Sequence, residues 1–349
     1  MENKSFGVYY QHFDHAEDFL NALLPWRYGG ASGVGIYRGQ SRDYPLIPQS
    51  LRNRGESLWR ISSFRLPENE EGLERHYIEA EYRLLREFFR RSDIAGLSLP
   101  PCQMLREAMH IDIGIAPWCA DPFAAPIHPW LDSSPACPAF IWPPDELAEV
   151  AGLAQHYGLP TRLLDWTYDP FVAAFFAFRG ALEKKDLDDN VVIWMLVTNW
   201  LAELSSHHKT PLPFRIVTPP YSQNPNLAAQ RGAFCFWQKQ IKVLGPTLQQ
   251  PNRKPTMEST PVDSRPVDEQ IFSWFEDHAA ECTINIKSAD GESKPGIYSG
   301  AMFWKMTLPR SEAGQGYHLI SQLGYDHGKL FPGYGGIADE LKFRRQGFG

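Results

Sequence analysis

Two short passages carry polar residues where packing alone would not ask for them. The first is Tyr37-Arg38-Gly39-Gln40. An Arg inside a short apolar strand can aim its planar fork at a phosphate or carboxylate in two-point contact. Flanking glycines would let a ligand approach the backbone closely. The competing reading is an Arg that pairs with a buried acid to hold the fold. The second passage runs from residue 155 to 167 and holds Gln155, His156, Thr161, Arg162, Asp165, Trp166 and Thr167. So many donors and acceptors beside an apolar helix predict a pocket wall. His156 suits a proton shuttle or a ribose hydroxyl, or else it caps carbonyls at the end of its own helix. Asp165 either polarises a ligand or pairs with Arg162 or Arg38.

Other chemistries find less support. His12 with His15, and the pair His207-His208, lack acidic or Cys ligands at useful spacing, so no metal site is expected. No G-x-S-x-G elbow occurs, which argues against a Ser-His-Asp hydrolase. The glycines between residues 29 and 35 miss the dinucleotide fingerprint, and no P-loop follows.

The elements that must position these residues follow from periodicity. Apolar spacing predicts a short helix over 14–24, a strand over 36–40 and a long helix over 68–91. The Glu and Arg residues on the other face of that long helix read as a solvated surface. A helix opening at Asp145 and ending at Tyr157 is stopped by Gly158. A connecting segment then leads to Asp169-Pro170, an N-cap and first-turn proline that start a helix apolar on every side, hence buried. Residues 191–197, all apolar, read as a central strand, with further strands at 233–237 and 301–308. Residues 115–144 are crowded with Pro and hold Trp118, Trp130 and Trp142; they read as an ordered, aromatic-packed insertion fit to meet a protein partner. Residues 245–268, rich in Pro, Gln and Ser, read as a mobile loop. The fold class expected is α+β: a mixed, mainly antiparallel sheet with packed helices, in a single domain with an insertion.

Composition sets the outer limits. The chain has 349 residues and a net charge of −7, with 43% hydrophobic and 13% aromatic residues. That is enough for a core, and it lacks the basic stripe of a bulk nucleic-acid binder. Five widely spaced Cys with no CxxC argue against a disulfide scaffold. No signal peptide or membrane span is visible, so a cytoplasmic protein is expected.

The same passages resemble the FRG domain family of bacteria, named after a Phe/Tyr-Arg-Gly motif. Here the motif is Tyr37-Arg38-Gly39-Gln40, followed by Tyr44-Pro45-Leu46-Ile47-Pro48-Gln49-Ser50-Leu51-Arg52. The second hallmark is the string from Gln155 to Thr167, QHYGLPTRLLDWT. Two later stretches, 226–234 and 329–338, also look like the family, so the resemblance spans residues 15–342. It implies a bacterial effector of defence or toxin type. A looser similarity to ADP-ribosyltransferases implies NAD as substrate, with Arg38 on its phosphates or ribose and Gln230 at the position that orients the reaction. Asp165 would steady the charge that develops as the nicotinamide bond breaks. The alternative is a non-catalytic sensor or protein-interaction module.

Overall fold

The computed structural model describes residues 7–24, 35–62, 73–109, 139–184, 189–222, 224–244, 256–258, 260–281, 285–287, 293–295 and 301–345. The strands are β1 Val8–His12, β2 Gly35–Gln40, β3 Ala139–Trp142, β4 Leu164–Thr167, β5 Asn190–Val197 and β6 Phe214–Val217. They continue with β7 Gly232–Trp237, β8 Lys239–Leu244, β9 Thr256–Met257, β10 Asn285–Lys287, β11 Ser293–Pro295 and β12 Phe303–Pro309. The first helices are α1 Ala16–Ala22, α2 Glu56–Ser62, α3 Glu74–Ile94, α4 Gln103–Ala108, α5 Asp145–His156 and α6 Pro170–Glu183. After them come α7 Thr198–Ser206, α8 Pro225–Ala229, α9 Val267–Asp277, α10 Ala313–Gln322, α11 His327–Leu330 and α12 Tyr334–Phe343.

A seven-stranded sheet in the order β1-β12-β5-β2-β4-β7-β6 organises the chain. Only its β1–β12 pair is parallel; the other neighbours run antiparallel. The fold is therefore α+β with a mixed, mainly antiparallel sheet. Strand β1 lies ahead of residue 15, so the sheet begins earlier than the resemblance suggested.

Alternation along β5 sorts the two faces, as a period of two demands. Val191, Ile193, Met195 and Val197 pack with α1, α6 and α10. Val192, Trp194 and Leu196 pack on the other side with Ile271, Trp274 and Phe275 of α9. A third core lies under β7, where Phe234 and Phe236 meet α3, α4 and α5. Helices α5 and α6 thus cover neighbouring halves of the sheet, and β4 runs beneath the line between them.

Several sequence expectations need correction. Residues 159–167 are not wholly a connection: Leu164–Thr167 is β4, joined to β7 along its length. Four residues with polar and apolar positions interleaved give too weak a strand signal to read. The long helix α3 starts at Glu74, and residues 63–72 lie outside the described residues. Of the insertion at 115–144, residues 115–138 also lie outside them, while its end forms β3, paired with β8. Within 245–268, residues 245–255 and 259 lie outside the described residues; Thr256 and Met257 form β9, and Val267 opens α9. No helix among the described residues is long and apolar enough to cross a membrane.

The largest correction concerns α3, whose charged face is not simply wet. Glu74, Glu79 and Glu81 are buried. Arg162 enters this core and donates from Nη1 to Glu74 at 2.8 Å and from Nε to Glu81 at 2.7 Å. Lys239 adds a contact to Glu74 at 3.1 Å, while Ser50 and the Trp142 indole donate to Glu81 at 3.0 and 2.8 Å. Burial alone would raise the Glu74 pKa, yet Arg162 and Lys239 bring it below the ordinary value. Glu81 is pushed up, because burial outweighs its share of Arg162.

Two measurements test this core. Arg162→Met leaves buried carboxylates without their cation and should destabilise the fold by about 3–5 kcal/mol, read from denaturant unfolding. Burial pushes the Glu79 carboxyl up to about 7, with Arg83 and Arg75 opposing. The folded state then keeps a proton that the unfolded state gives up above its ordinary value of 4.5, so stability falls as pH rises from about 4.5 to about 7. Glu79→Gln should flatten that part of the stability curve.

Candidate functional site

The site forms where the sheet comes apart. Strand β2 is joined to β5 from Gly35–Val197 to Gln40–Val192, but it meets β4 at Tyr37–Thr167 alone. Beyond that pair the two strands diverge. The backbone carbonyl of Asp165 is met there by a side chain: Arg38 Nη1 donates to it at 2.6 Å. The same nitrogen lies 3.5 Å from the Asp165 carboxylate. Arg38 therefore latches the gap between two strands, and its partner acid lies beside the cleft. Arg38 thus lines the cleft and also holds the backbone around it, and its acid is half exposed rather than buried.

Helix ends set the walls. Gly158, at φ +87°, ends α5, with its N–H on the Gln155 carbonyl at 2.9 Å and the Leu159 N–H on Ala154 at 3.0 Å. That stop leaves Gln155, His156 and Tyr157 at the cleft. Asp169 caps α6 by accepting from the Phe171 N–H at 2.9 Å, with Pro170 in the first turn. The start of α6 is thereby fixed beside β4. The resulting cleft holds about 420 Å³, within the usual range for small-molecule sites of roughly 300–1,000 Å³. Tyr37, Arg38, Gly39, Gln155, His156, Asp165, Trp166, Thr167 and Gln230 all line it.

A relay fixes the Asp165 carboxylate. The Thr161 N–H and hydroxyl donate to Gln155 Oε1 at 3.2 and 2.9 Å, and Gln155 Nε2 donates to Asp165 Oδ2 at 3.1 Å. Because both Thr161 donors face Oε1, the amide can point only its NH₂ at the acid. The Asp165 side chain is still 53% exposed, open to a ligand. Burial lowers the His156 pKa, and Asp165 opposes that shift; the ring is neutral at pH 7 and able to accept a proton. It lies edge-on to Tyr157 with ring centroids 5.2 Å apart, and makes no hydrogen bond to the α5 carbonyls among the described residues. Burial, then Asp169, raises the Tyr37 pKa.

Other predicted residues serve the frame. Thr161 is buried and outside the cleft lining, and acts through Gln155. Arg162 belongs to the Glu74–Glu81 core, not to the ligand side. Gln40 is buried and accepts the Trp194 indole N–H at 3.2 Å, away from the cleft. Thr167 spends its hydroxyl on the Gln230 carbonyl at 2.7 Å and the Asp169 N–H at 3.0 Å. Gln230 donates to the Leu330 carbonyl at 3.1 Å and so ties α11 to the cleft. Gly39 lines the cleft for a reason other than ligand approach: a Cβ there would sit 1.8 Å from the Ala173 carbonyl oxygen, so α6 needs the glycine to seat on β2. The Trp166 indole donates to Cys235 Sγ at 2.9 Å.

Much of the apolar wall escaped the sequence reading. Phe176, on a helix expected to be wholly buried, is 38% exposed and faces the cleft with Phe331 and Phe234. The Phe176 and Phe331 rings meet edge-on at 6.3 Å. Asn226 and Leu227 add the α8 side. The stretches 226–234 and 329–338, noted for resemblance alone, are the signal that would have led to these residues. No group of three or more His, Cys, Asp or Glu suited to a metal occurs among the described residues.

The thiols give a check on this geometry. Burial pushes Cys235 up to about 12 and Cys102 up to about 11. Iodoacetamide at pH 8 should leave both unmodified in the native protein and label both after denaturation, read by peptide mass spectrometry.

No curated protein and no solved structure matches the chain. Residues 137–186, which span β3, α5, β4 and α6, match the family model of the FRG domain. That passage, which builds two walls and the floor of the cleft, is the part of the chain that is similar to the FRG domain family.

Proposed function

We propose that the cleft binds a nucleotide of the NAD type and breaks its nicotinamide–ribose bond, as an ADP-ribosyltransferase or NAD-consuming enzyme would. The observation that supports this is the convergence of Arg38, His156, Asp165 and Gln230, from three separate parts of the chain, on one aromatic-walled cleft. Phe176, Phe331 and Phe234 offer flat apolar faces to a planar base, and the Asn226 amide offers a donor and an acceptor to its edge. In the reaction the ribose–nitrogen bond breaks, its electron pair leaves with nicotinamide, and positive charge develops on the ribose. Asp165, preorganised by Gln155 and Arg38, stabilises that charge. Water or an acceptor hydroxyl then bonds to the ribose carbon and gives its proton to neutral His156. The defence or toxin setting rests on family resemblance alone.

A second reading, binding without turnover, is favoured by one contact. The Arg38 guanidinium already partly compensates Asp165 at 3.5 Å, which weakens the field available to a cationic transition state. One experiment separates the two. Wild-type protein incubated with NAD should release nicotinamide, and Asp165→Asn should lower that rate by roughly 100-fold or more, the scale of losing one preorganised electrostatic group, while NAD still raises the melting temperature. A rise in melting temperature without nicotinamide release supports the binding module. Neither effect overturns both readings.

A further inference from the structure

Phe331 walls the cleft but follows α11, a helix of one turn, and so short a helix cannot hold a ring in place by itself. Several ties fix it. From the cleft side, Gln230 Nε2 donates to the Leu330 carbonyl at 3.1 Å. Asp326 caps α11 by accepting from the Lys329 N–H at 2.9 Å. Buried Glu340 accepts the His327 N–H at 3.1 Å on the same oxygen that takes the Tyr317 hydroxyl at 2.7 Å. Helix α12 is pressed directly against α11. A Cβ at Gly336 would sit 1.9 Å from the Phe331 carbonyl oxygen and 3.2 Å from that of His327, so only a glycine fits there.

This bracket leaves the His327 ring between the core and the cleft. It neighbours Phe175, fully buried on α6, with ring centroids 6.2 Å apart. It also stacks on Phe331, with centroids 4.2 Å apart and planes only 20° from parallel. His327 Nδ1 lies 3.2 Å from the Gly336 carbonyl. A carbonyl only accepts, so Nδ1 carries the proton, and this hydrogen bond sets the plane of the imidazole. The plane of Phe331 follows from it. Phe176 stands at 86° to Phe331, with centroids 6.3 Å apart. The two phenyl rings therefore make a corner, and a planar ligand that lies flat on one presents its edge to the other. A Leu at 327 would fill much of the same space, yet it has no flat face to keep Phe331 in this orientation.

We propose that His327 is a positioning residue: it holds Phe331 in the plane that makes the corner, and so prepares the cleft for a planar aromatic base. This rests on the nucleotide reading above and adds to it a residue that does not itself line the cleft. The test is isothermal titration of NAD into wild type, Phe331→Leu, His327→Leu and the double variant. Phe331→Leu should lose roughly tenfold in affinity, the scale of one base–aromatic stack. His327→Leu should lose roughly fivefold, and the double variant should be within about twofold of Phe331→Leu alone, because a residue that acts through Phe331 has nothing left to act on. His327→Phe restores a flat neighbour and should return the affinity to within about twofold of wild type. His327→Asn keeps a donor for the Gly336 carbonyl but no ring; it should lose as much as His327→Leu, and it decides the matter if the Leu variant folds poorly. Unchanged NAD affinity in His327→Leu and His327→Asn overturns the role of His327 and leaves the nucleotide cleft standing. Losses that add in the double variant, as a general weakening of the fold would give, do the same. Failure of wild type to bind NAD overturns the nucleotide reading and this inference with it.

Discussion

Arg162 is buried where water cannot solvate its charge, at a cost that in isolation amounts to several kcal/mol. Glu74 and Glu81 make that placement tolerable, and each brings its own constraints. Both lie on α3, two turns apart, so the guanidinium fixes the rotation of that helix about its axis. Glu81 also takes the Trp142 indole and Ser50, which brings β3 and the 49–55 turn to the same point. The residue before Arg162 is Thr161, which sets the Gln155 amide and through it the Asp165 carboxylate. A cluster with no ligand-facing atom thus determines where the exposed acid of the cleft stands.

The cleft itself is a boundary between packing units. One core lies under α6 and α10, another under α3 and α5, and β4 belongs fully to neither. Its alternate residues Leu164 and Trp166 fill the far face, which leaves Asp165 and Thr167 on the side where the two helices part. The polar groups of the cleft are few and mostly committed to one another, and its walls are aromatic. Such a surface distinguishes ligands by shape and by a small number of directed contacts rather than by bulk charge.

Legibility followed the strength of the local signal. The stop of α5 at Gly158 and the start of α6 at Asp169-Pro170 were readable because cap residues act on backbone within a few positions of themselves. Strand β5 was readable because burial on both faces leaves a continuous apolar run. Edge strands β1 and β6 were missed because one neighbour and a mixed pattern give little periodicity. The buried acids of α3 were misread for a different reason. A Glu facing water and a Glu facing a buried Arg look the same in sequence until the Arg, here 81 and 88 positions away, is placed in space. Gly39 likewise looked like room for a ligand, and only the position of Ala173 shows what occupies that room.

The single backbone pair between β2 and β4 has a mechanical meaning. Elsewhere neighbouring strands share a run of hydrogen bonds and resist shear together; at Tyr37–Thr167 the ladder narrows to one rung, and the Arg38 side chain replaces the next. A side chain with several rotatable bonds is a softer spring than a backbone ladder. The compliance of the whole sheet is therefore concentrated along this seam, and the coordinate it softens is the spacing between α5 and α6. A ligand between those helices would stiffen the molecule along its weakest line, so occupancy would register as a loss of amide exchange in β2 and β4 before any change of shape.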